Sequence, residues 1–209
     1  MKRYVAIAVL TLVAVSTLAA QTPKGWKVRA DRSTTAADPD AAGAIKFMAM
    51  GSGFHAITPQ AAVFWTPANT VTGNYTLKGT FTQLKPSSHT NYFGLVFGGQ
   101  NLENSGQNYL YFTVAQDGTW LIKHREGDVN TQNVGRGSNA AVKQLDPTGK
   151  SVNALDVRVM ADKIDYVVNG TVVHSTPKTG QTAKTDGIYG MRVNHALEVS
   201  VDGLSVTKQ

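Results

Sequence analysis

An all-β, antiparallel fold is the class this sequence predicts, and three observations carry the prediction. Nearly every segment after Ile45 alternates with period two, those segments are filled by Val, Ile, Thr, Tyr and Phe, and Gly, Asn, Asp or Pro stand at the breaks. Strands are predicted at 45–50, 54–58, 61–66, 74–84, 91–98, 108–115, 119–125, 153–160, 164–168, 171–175, 187–193 and 196–206. No amphipathic helix separates them, so short turns must join them into an antiparallel sandwich or barrel.

Ahead of the strands, Lys2 and Arg3 precede an apolar run from Tyr4 to about Val15, with small residues at Ala19 and Ala20. That pattern predicts a secretory signal peptide over 1–20. The run falls short of the roughly 20 apolar residues of a membrane span, so export to the periplasm or exterior of a bacterial cell is expected, without membrane insertion. Residues 21–44 read as an extended lead-in, in which Trp26 and Val28 are placed to make a first edge strand, and 45–209 as one domain. The chain has no Cys, so neither a disulfide nor a lipid-bearing cysteine can anchor it, and its core must hold it together. Losing Lys2 and Arg3 takes the formal charge from +6 to +4. The remaining basic residues are scattered (Lys46, Lys78, Lys85, Lys123, Arg125, Lys150, Arg158, Lys184), which argues against nucleic acid as a partner.

Two dipeptides locate hairpins. Asp117-Gly118 and Asn169-Gly170 suit two-residue turns whose central positions take positive φ. With Asp117 and Gly118 alone in the loop, Ala115 faces Trp120, Thr113 faces Ile122, Tyr111 faces His124 and Tyr109 faces Glu126, all on one sheet face. Leu110, Phe112, Val114 and Leu121 then form the core face. The first face combines broad rings with hydrogen-bonding edges, which matches the apolar faces and polar rims of sugars. Three readings stand at this point: the face lines a ligand surface, it packs beneath a neighbouring loop, or the loop has three residues and the faces are swapped. The second hairpin pairs Val168 with Thr171, Tyr166 with Val173 and Asp165 with His174, and places Val157, Val159, Tyr166, Val168 and Val173 on a common core face.

Few segments carry local catalytic signatures. Asp165 and His174 form the orienting half of a nucleophilic triad, but no G-x-S-x-G turn supplies a serine, and a surface ion pair is the favoured reading. DPTGKS (146–151) and GRGSNA (135–140) lack the flanking strand and helix of phosphate loops and read as turns within a long polar connection, 127–150. The three glutamates, Glu103, Glu126 and Glu198, have no acidic partner two residues away on one face, so a glycosidase pair is not written locally. The five histidines show neither H-x-x-x-H nor H-x-H spacing, which disfavours a catalytic zinc site. No cofactor is expected; a structural calcium gathered from Asp and Asn side chains of separate turns stays open.

Read together, GSGFHAITPQAAVFWTP (51–67), NYFGLVFGGQNL (91–102), YLYFTVAQDGTWLIKHREGD (109–128), IDYVVNGTVV (164–173) and GIYGMRVNHALEVSVDGLSV (187–206) resemble secreted bacterial domains of the concanavalin A-like lectin/glucanase superfamily. Laminin G-like and 3-keto-disaccharide hydrolase-like domains are among its members. The resemblance implies a jelly-roll sandwich of two curved antiparallel sheets, whose concave face or rim loops hold carbohydrate in many members. The E-x-D-x-x-E strand of laminarinase-like members is absent. A non-catalytic, exported carbohydrate-binding domain follows, with Tyr109, Tyr111 and Trp120 stacking on sugar rings and His124, Glu126, Arg192 and Asn194 binding hydroxyls. The alternatives are a glycoside or 3-keto-glycoside hydrolase using Glu126 and His124 beside the 127–150 connection, and a laminin G-like adhesion module that recognises protein.

Overall fold

A computed structural model describes residues 22–33, 36, 38–128 and 130–209; the expected signal peptide lies outside them. Among the described residues the chain forms fourteen strands: β1 (Lys27–Ala30), β2 (Lys46–Met50), β3 (Gly53–Thr58), β4 (Ala62–Val71), β5 (Tyr75–Gln83), β6 (Tyr92–Gln100), β7 (Asn108–Ala115), β8 (Thr119–Glu126), β9 (Asn130–Ser138), β10 (Ser151–Val159), β11 (Lys163–Val168), β12 (Thr171–Pro177), β13 (Gly187–Val193) and β14 (Leu197–Lys208). They build two seven-stranded antiparallel sheets, a front sheet ordered β1-β4-β13-β6-β7-β8-β9 and a back sheet ordered β12-β11-β10-β5-β14-β3-β2. The all-β jelly-roll expectation therefore holds. The first edge strand expected around Trp26 and Val28 is β1, which pairs with β4.

Alternation explains the interior. Phe64, Phe93, Leu95, Phe97, Leu110, Phe112, Val114 and Ile122 project inward from the front sheet to meet Leu77, Phe81, Leu155, Val157, Val159, Tyr166, Val168 and Val199 of the back sheet. Burying each large side chain contributes about 1.5–3 kcal/mol. An exposed ion pair such as Lys27 with Glu103 contributes about 0–1 kcal/mol, so the interior decides stability in this cysteine-free chain.

The two open ends of the sandwich are each closed by a tryptophan. At the β1/β2 end, Trp26 lies 4.4 Å from Phe54 and 5.4 Å from Phe47, ring centre to ring centre. At the β9/β12 end, Trp120 stacks on His174 at 4.9 Å and 28°. Room for the Trp120 ring comes from β9: Gly137 is its cross-strand partner, and a β-carbon there would stand 2.7 Å from Trp120 Cζ2. A β-carbon on Gly135 would come within 3.1 Å of His174 Nε2 and 3.3 Å of Trp120 Cζ3. The GRG stretch is thus a strand with its inward positions emptied of side chains, and the expectation of a turn there is corrected.

Three registers differ from expectation. The β7–β8 loop holds Gln116, Asp117 and Gly118, so Val114 pairs with Trp120, Tyr111 with Lys123 and Leu110 with His124. Only Gly118 has positive φ (+85°), the pattern of a three-residue hairpin with a glycine bulge. Gln116 is held out of the ladder by the loop after β5: its Oε1 accepts from Gln83 Nε2 and Ser87 N at 2.9 Å, and its Nε2 donates to Ser87 O at 3.0 Å. In the β11–β12 hairpin Asn169 and Gly170 do take positive φ, and Val168 pairs with Thr171, but a bulge after Val172 brings His174 opposite Tyr166 and Ser175 opposite Asp165. Asp165 binds Ser175 Oγ at 2.7 Å and Lys163 Nζ at 3.1 Å, so the expected Asp165–His174 pair does not form. Between β10 and β11, a loop of Asp162 and Lys163 alone would set Val159 opposite Tyr166 and Val157 opposite Val168, whereas Val157 meets Tyr166 and Val159 meets Ile164; the two-place offset is even, so the faces are preserved and the core assignment holds.

Replacing Trp120 by Ala is expected to cost about 3–5 kcal/mol, measured as a lower urea midpoint at unchanged slope. Gly137→Val should destabilise by about 1–3 kcal/mol through overpacking against the same ring. Equal midpoints for wild type and both variants would place the ring outside the interior.

Candidate functional site

The outer face of the front sheet is divided into a covered half and an open half. On the covered half, Val63, Trp65, Val96, Tyr109 and Tyr111 form an apolar patch, and Leu102 from the β6–β7 loop packs into it. The segment leaving β1 adds a charged clasp. Asp31 Oδ2 accepts from Arg192 Nη1 at 2.6 Å and Asp31 Oδ1 from Arg125 Nη2 at 3.1 Å, while Arg192 Nη1 also donates to the Tyr109 hydroxyl at 2.9 Å. The Arg192 guanidinium stands 5.0 Å from the centre of the Tyr111 ring. Arg29 reaches Asp128 and the carbonyl of Asn104, tying the same segment to the loops on either side of the β7–β8 hairpin.

Electrostatics here follow from burial and charge together. Burial raises the Asp31 carboxyl, but the charges of Arg192 and Arg125 and the Arg192 hydrogen bond outweigh it, and the net shift is downward. Burial pushes the Tyr109 hydroxyl up to about 12 against the opposing pull of Arg192. Asp31 and Arg192 side chains are each only 9% exposed, so neither charge tolerates loss of the other.

The open half is a cleft of about 460 Å³ lined by Asp38, Thr90, Asn91, Tyr92, Leu121, Lys123, Asn133, Arg136 and Asn194. The register of β8 against β9 sets Leu121 opposite Arg136 and Lys123 opposite Asn133 on this face. Arg136 donates weakly to the Tyr92 hydroxyl at 3.5 Å, and that hydroxyl lies 3.0 Å from Thr119 Oγ1. Among the described residues Lys123 has no hydrogen-bond or ion-pair partner. Burial first, then the like charges of Arg192, Arg136 and Arg125, lower its pKa. The cleft floor is therefore cationic and under-neutralised. Its one lining carboxylate among the described residues, Asp38, stands 3.0 Å from both His89 Nε2 and His195 Nε2.

The seven residues expected to bind ligand fall in different places. Tyr109, Tyr111 and Arg192 meet on the covered half of the outer face, and Asn194, whose Oδ1 accepts from Arg192 Nε at 3.1 Å, borders the cleft. Trp120 points into the interior. His124 and Glu126 line a separate hollow of about 240 Å³ with Asn108, Gln132, Gly180, Gln181 and Lys184. The expected common face of Tyr109, Tyr111, Trp120, His124 and Glu126 is thus overturned by the one-residue longer turn, which sends the β8 members to the opposite side. The rings are no open platform either: Tyr109, Tyr111 and Trp120 are 0%, 6% and 6% exposed. The connection 127–150 contains β9 and contributes Asn133 and Arg136 to the cleft. Period-two glycines facing a tryptophan were the signal for that strand. Asp38 and Lys123 had none, because their neighbourhood is assembled from distant segments.

No protein-family model matches the chain, and no curated protein matches it in sequence. Solved structures match its fold. The carbohydrate-binding module CBM66 from Bacillus subtilis superposes with a TM-score of 0.63 at 10% identity, covering 88% of this chain and 96% of that one. A Bacillus subtilis protein of unknown function with a galectin-like fold gives 0.63 at 13% identity, over 88% and 90%. A glycoside hydrolase family 16 endo-glucanase from Bacteroides ovatus gives 0.59 at 9% identity, over 90% and 96%. The chain therefore shares the two-sheet jelly-roll fold of these structures, the fold that the sequence resemblance implied.

Asp31 has a folded-state pKa below its unfolded value, so its contribution to stability is complete above the ordinary carboxylate range and is lost as pH falls through that range toward the lowered value. Denaturation midpoints measured from pH 7 to pH 2 should show wild type losing stability below about pH 4. Asp31→Asn should be less stable at pH 7 by about 3–5 kcal/mol, because Arg192 is left buried beside a neutral group, with a flatter acid limb. Parallel acid limbs for the two proteins would remove Asp31 from this role.

Proposed function

We propose that the protein is an exported, non-catalytic carbohydrate-binding jelly-roll domain that seats its sugar in the cleft between β6, β8 and β9, and that the preferred sugars are acidic. The observation that carries this reading is the unpaired Lys123 beside Arg136 on the cleft floor, flanked by the amides of Asn91, Asn133 and Asn194. Ammonium and guanidinium groups bind carboxylates and sulfates by charge-assisted hydrogen bonds, and side-chain amides match both the donors and the acceptors of hydroxyl groups. Structural neighbours whose names state carbohydrate binding or glycoside hydrolysis support the sugar class. A binding role is supported by the cleft's single carboxylate, engaged by two histidines, where glycoside hydrolysis uses a pair about 5–10 Å apart. The basic, apolar and small-residue succession at 2–20 supports export.

Because Tyr92 is nearly buried and, among the described residues, no other ring lines the cleft, recognition rests on charge and hydrogen bonds rather than stacking. A glycan array carrying uronate, sulfated and neutral oligosaccharides should show binding to acidic members, with affinity falling as salt rises. Lys123→Ala and Arg136→Ala should each weaken binding by about 10- to 100-fold, the equivalent of one charge-assisted contact, with melting temperature within about 2 °C of wild type. Binding confined to neutral sugars, or indifferent to both substitutions, would move the site elsewhere.

A further inference from the structure

Asp38, His89 and His195 come from three separate connections, the segment before β2, the β5–β6 loop and the turn between β13 and β14. Asp38 Oδ1, His89 Nε2 and His195 Nε2 form a triangle whose three edges are each 3.0 Å. Two ring protons cannot serve three such edges, and the Asn91 amide, whose Nδ2 lies 3.1 Å from His89 Nε2, reaches only that one nitrogen and leaves the carboxylate edges unserved. If each imidazole donates to Asp38, the two nitrogens face each other proton to proton; if one donates to the other ring, a lone pair faces the carboxylate. A cation above the triangle satisfies all three lone pairs at once.

The dimensions fit a small transition-metal ion. Zinc bonds of about 2.0–2.2 Å at tetrahedral angles put neighbouring ligand atoms about 3.3–3.6 Å apart, and a 3.0 Å triangle needs to open by only about half an ångström to receive one. Calcium, with about 2.3–2.6 Å bonds, six to eight ligands and a demand for oxygen, fits two imidazole nitrogens poorly. The second nitrogen of each ring is also provided for. His89 Nδ1 lies 3.0 Å from Ser88 Oγ, and His195 Nδ1 faces Asp40 Oδ1 at 3.8 Å. Asp40 Oδ1 is buried with no hydrogen-bond partner, while Asp40 Oδ2 accepts from Ser33 N at 3.0 Å. An oxygen beside the far nitrogen of a ligating histidine keeps the proton on that nitrogen and leaves Nε2 free for metal.

From this geometry we infer that Asp38, His89 and His195 bind one divalent transition-metal ion of the zinc class, with Asp40 and Ser88 orienting the two rings. Three protein donors leave one tetrahedral position for a water or a ligand oxygen, and because Asp38 also borders the cleft, that ion stands at the cleft's end. The inference does not rest on the glycan reading.

The test uses the full exported chain without an affinity tag, stripped with EDTA, dialysed and titrated calorimetrically with ZnCl2 and, separately, CaCl2. One zinc per chain is expected, and the cobalt-loaded protein should show the visible bands of a tetrahedral ion. His89→Gln and His195→Gln should each lower zinc affinity by at least about 100-fold, and Asp40→Asn by about 10-fold. The His89 ring is 44% exposed, so His89→Gln keeps the test sound even where the buried His195 variant fails to fold. No zinc uptake by folded wild type, uptake unchanged in His89→Gln, or a response to CaCl2 alone would overturn the site.

Discussion

The register of the β7–β8 hairpin governs both surfaces of the front sheet. Side chains alternate strictly along a strand, so one residue more or less in the turn exchanges the whole set that β8 sends inward for the set it sends outward. With Gln116, Asp117 and Gly118 in the turn, Trp120 and Ile122 enter the interior while Leu121, Lys123 and Arg125 face out. The interior closure by Trp120 and His174, the clasp of Arg125 on Asp31 and the cationic floor of the cleft all follow from that choice.

Gln116 shows why the longer turn wins. A two-residue loop would draw Gln116 into the ladder and break its three hydrogen bonds to Gln83 and Ser87, and it would place a tryptophan on the outer face beside Tyr92 and Ala115 while sending Leu121 inward. The interior at that edge would meanwhile lose the ring for which Gly135 and Gly137 leave room. Each competing term is worth a few kcal/mol, and all of them favour the same register.

The segment between β1 and β2 matters as much to the outer face as any strand. It brings Asp31 to two arginines and Asp38 to two histidines, one carboxylate on the covered half and one beside the cleft. Arg192 and Arg125 are engaged by Asp31, which leaves Lys123 and Arg136 as the cations that line the cleft among the described residues. A face that would otherwise repel itself is thereby partitioned into a locked region and a receptive one.

The architecture was legible in the sequence because period-two alternation, Asn169-Gly170 and the absence of helical repeats are local properties, each set by backbone geometry within a few residues. Twelve of the strands lie close to their expected spans, and β1 fell on the edge strand anticipated around Trp26 and Val28. The strand β9 was hidden because its inward residues are glycines, present for the bulk of a ring on another strand. Of the candidate cleft only Asn194 was legible: Arg192 and the two tyrosines share its sheet face but lie on the covered half, and Trp120, His124 and Glu126 lie elsewhere. Sequence determined the alternation and therefore the sandwich. Tertiary structure decided the turn length and the meeting of Asp31 with Arg192 and of Asp38 with His89 and His195, since partners up to 161 residues apart are chosen by packing and desolvation, which no local pattern records.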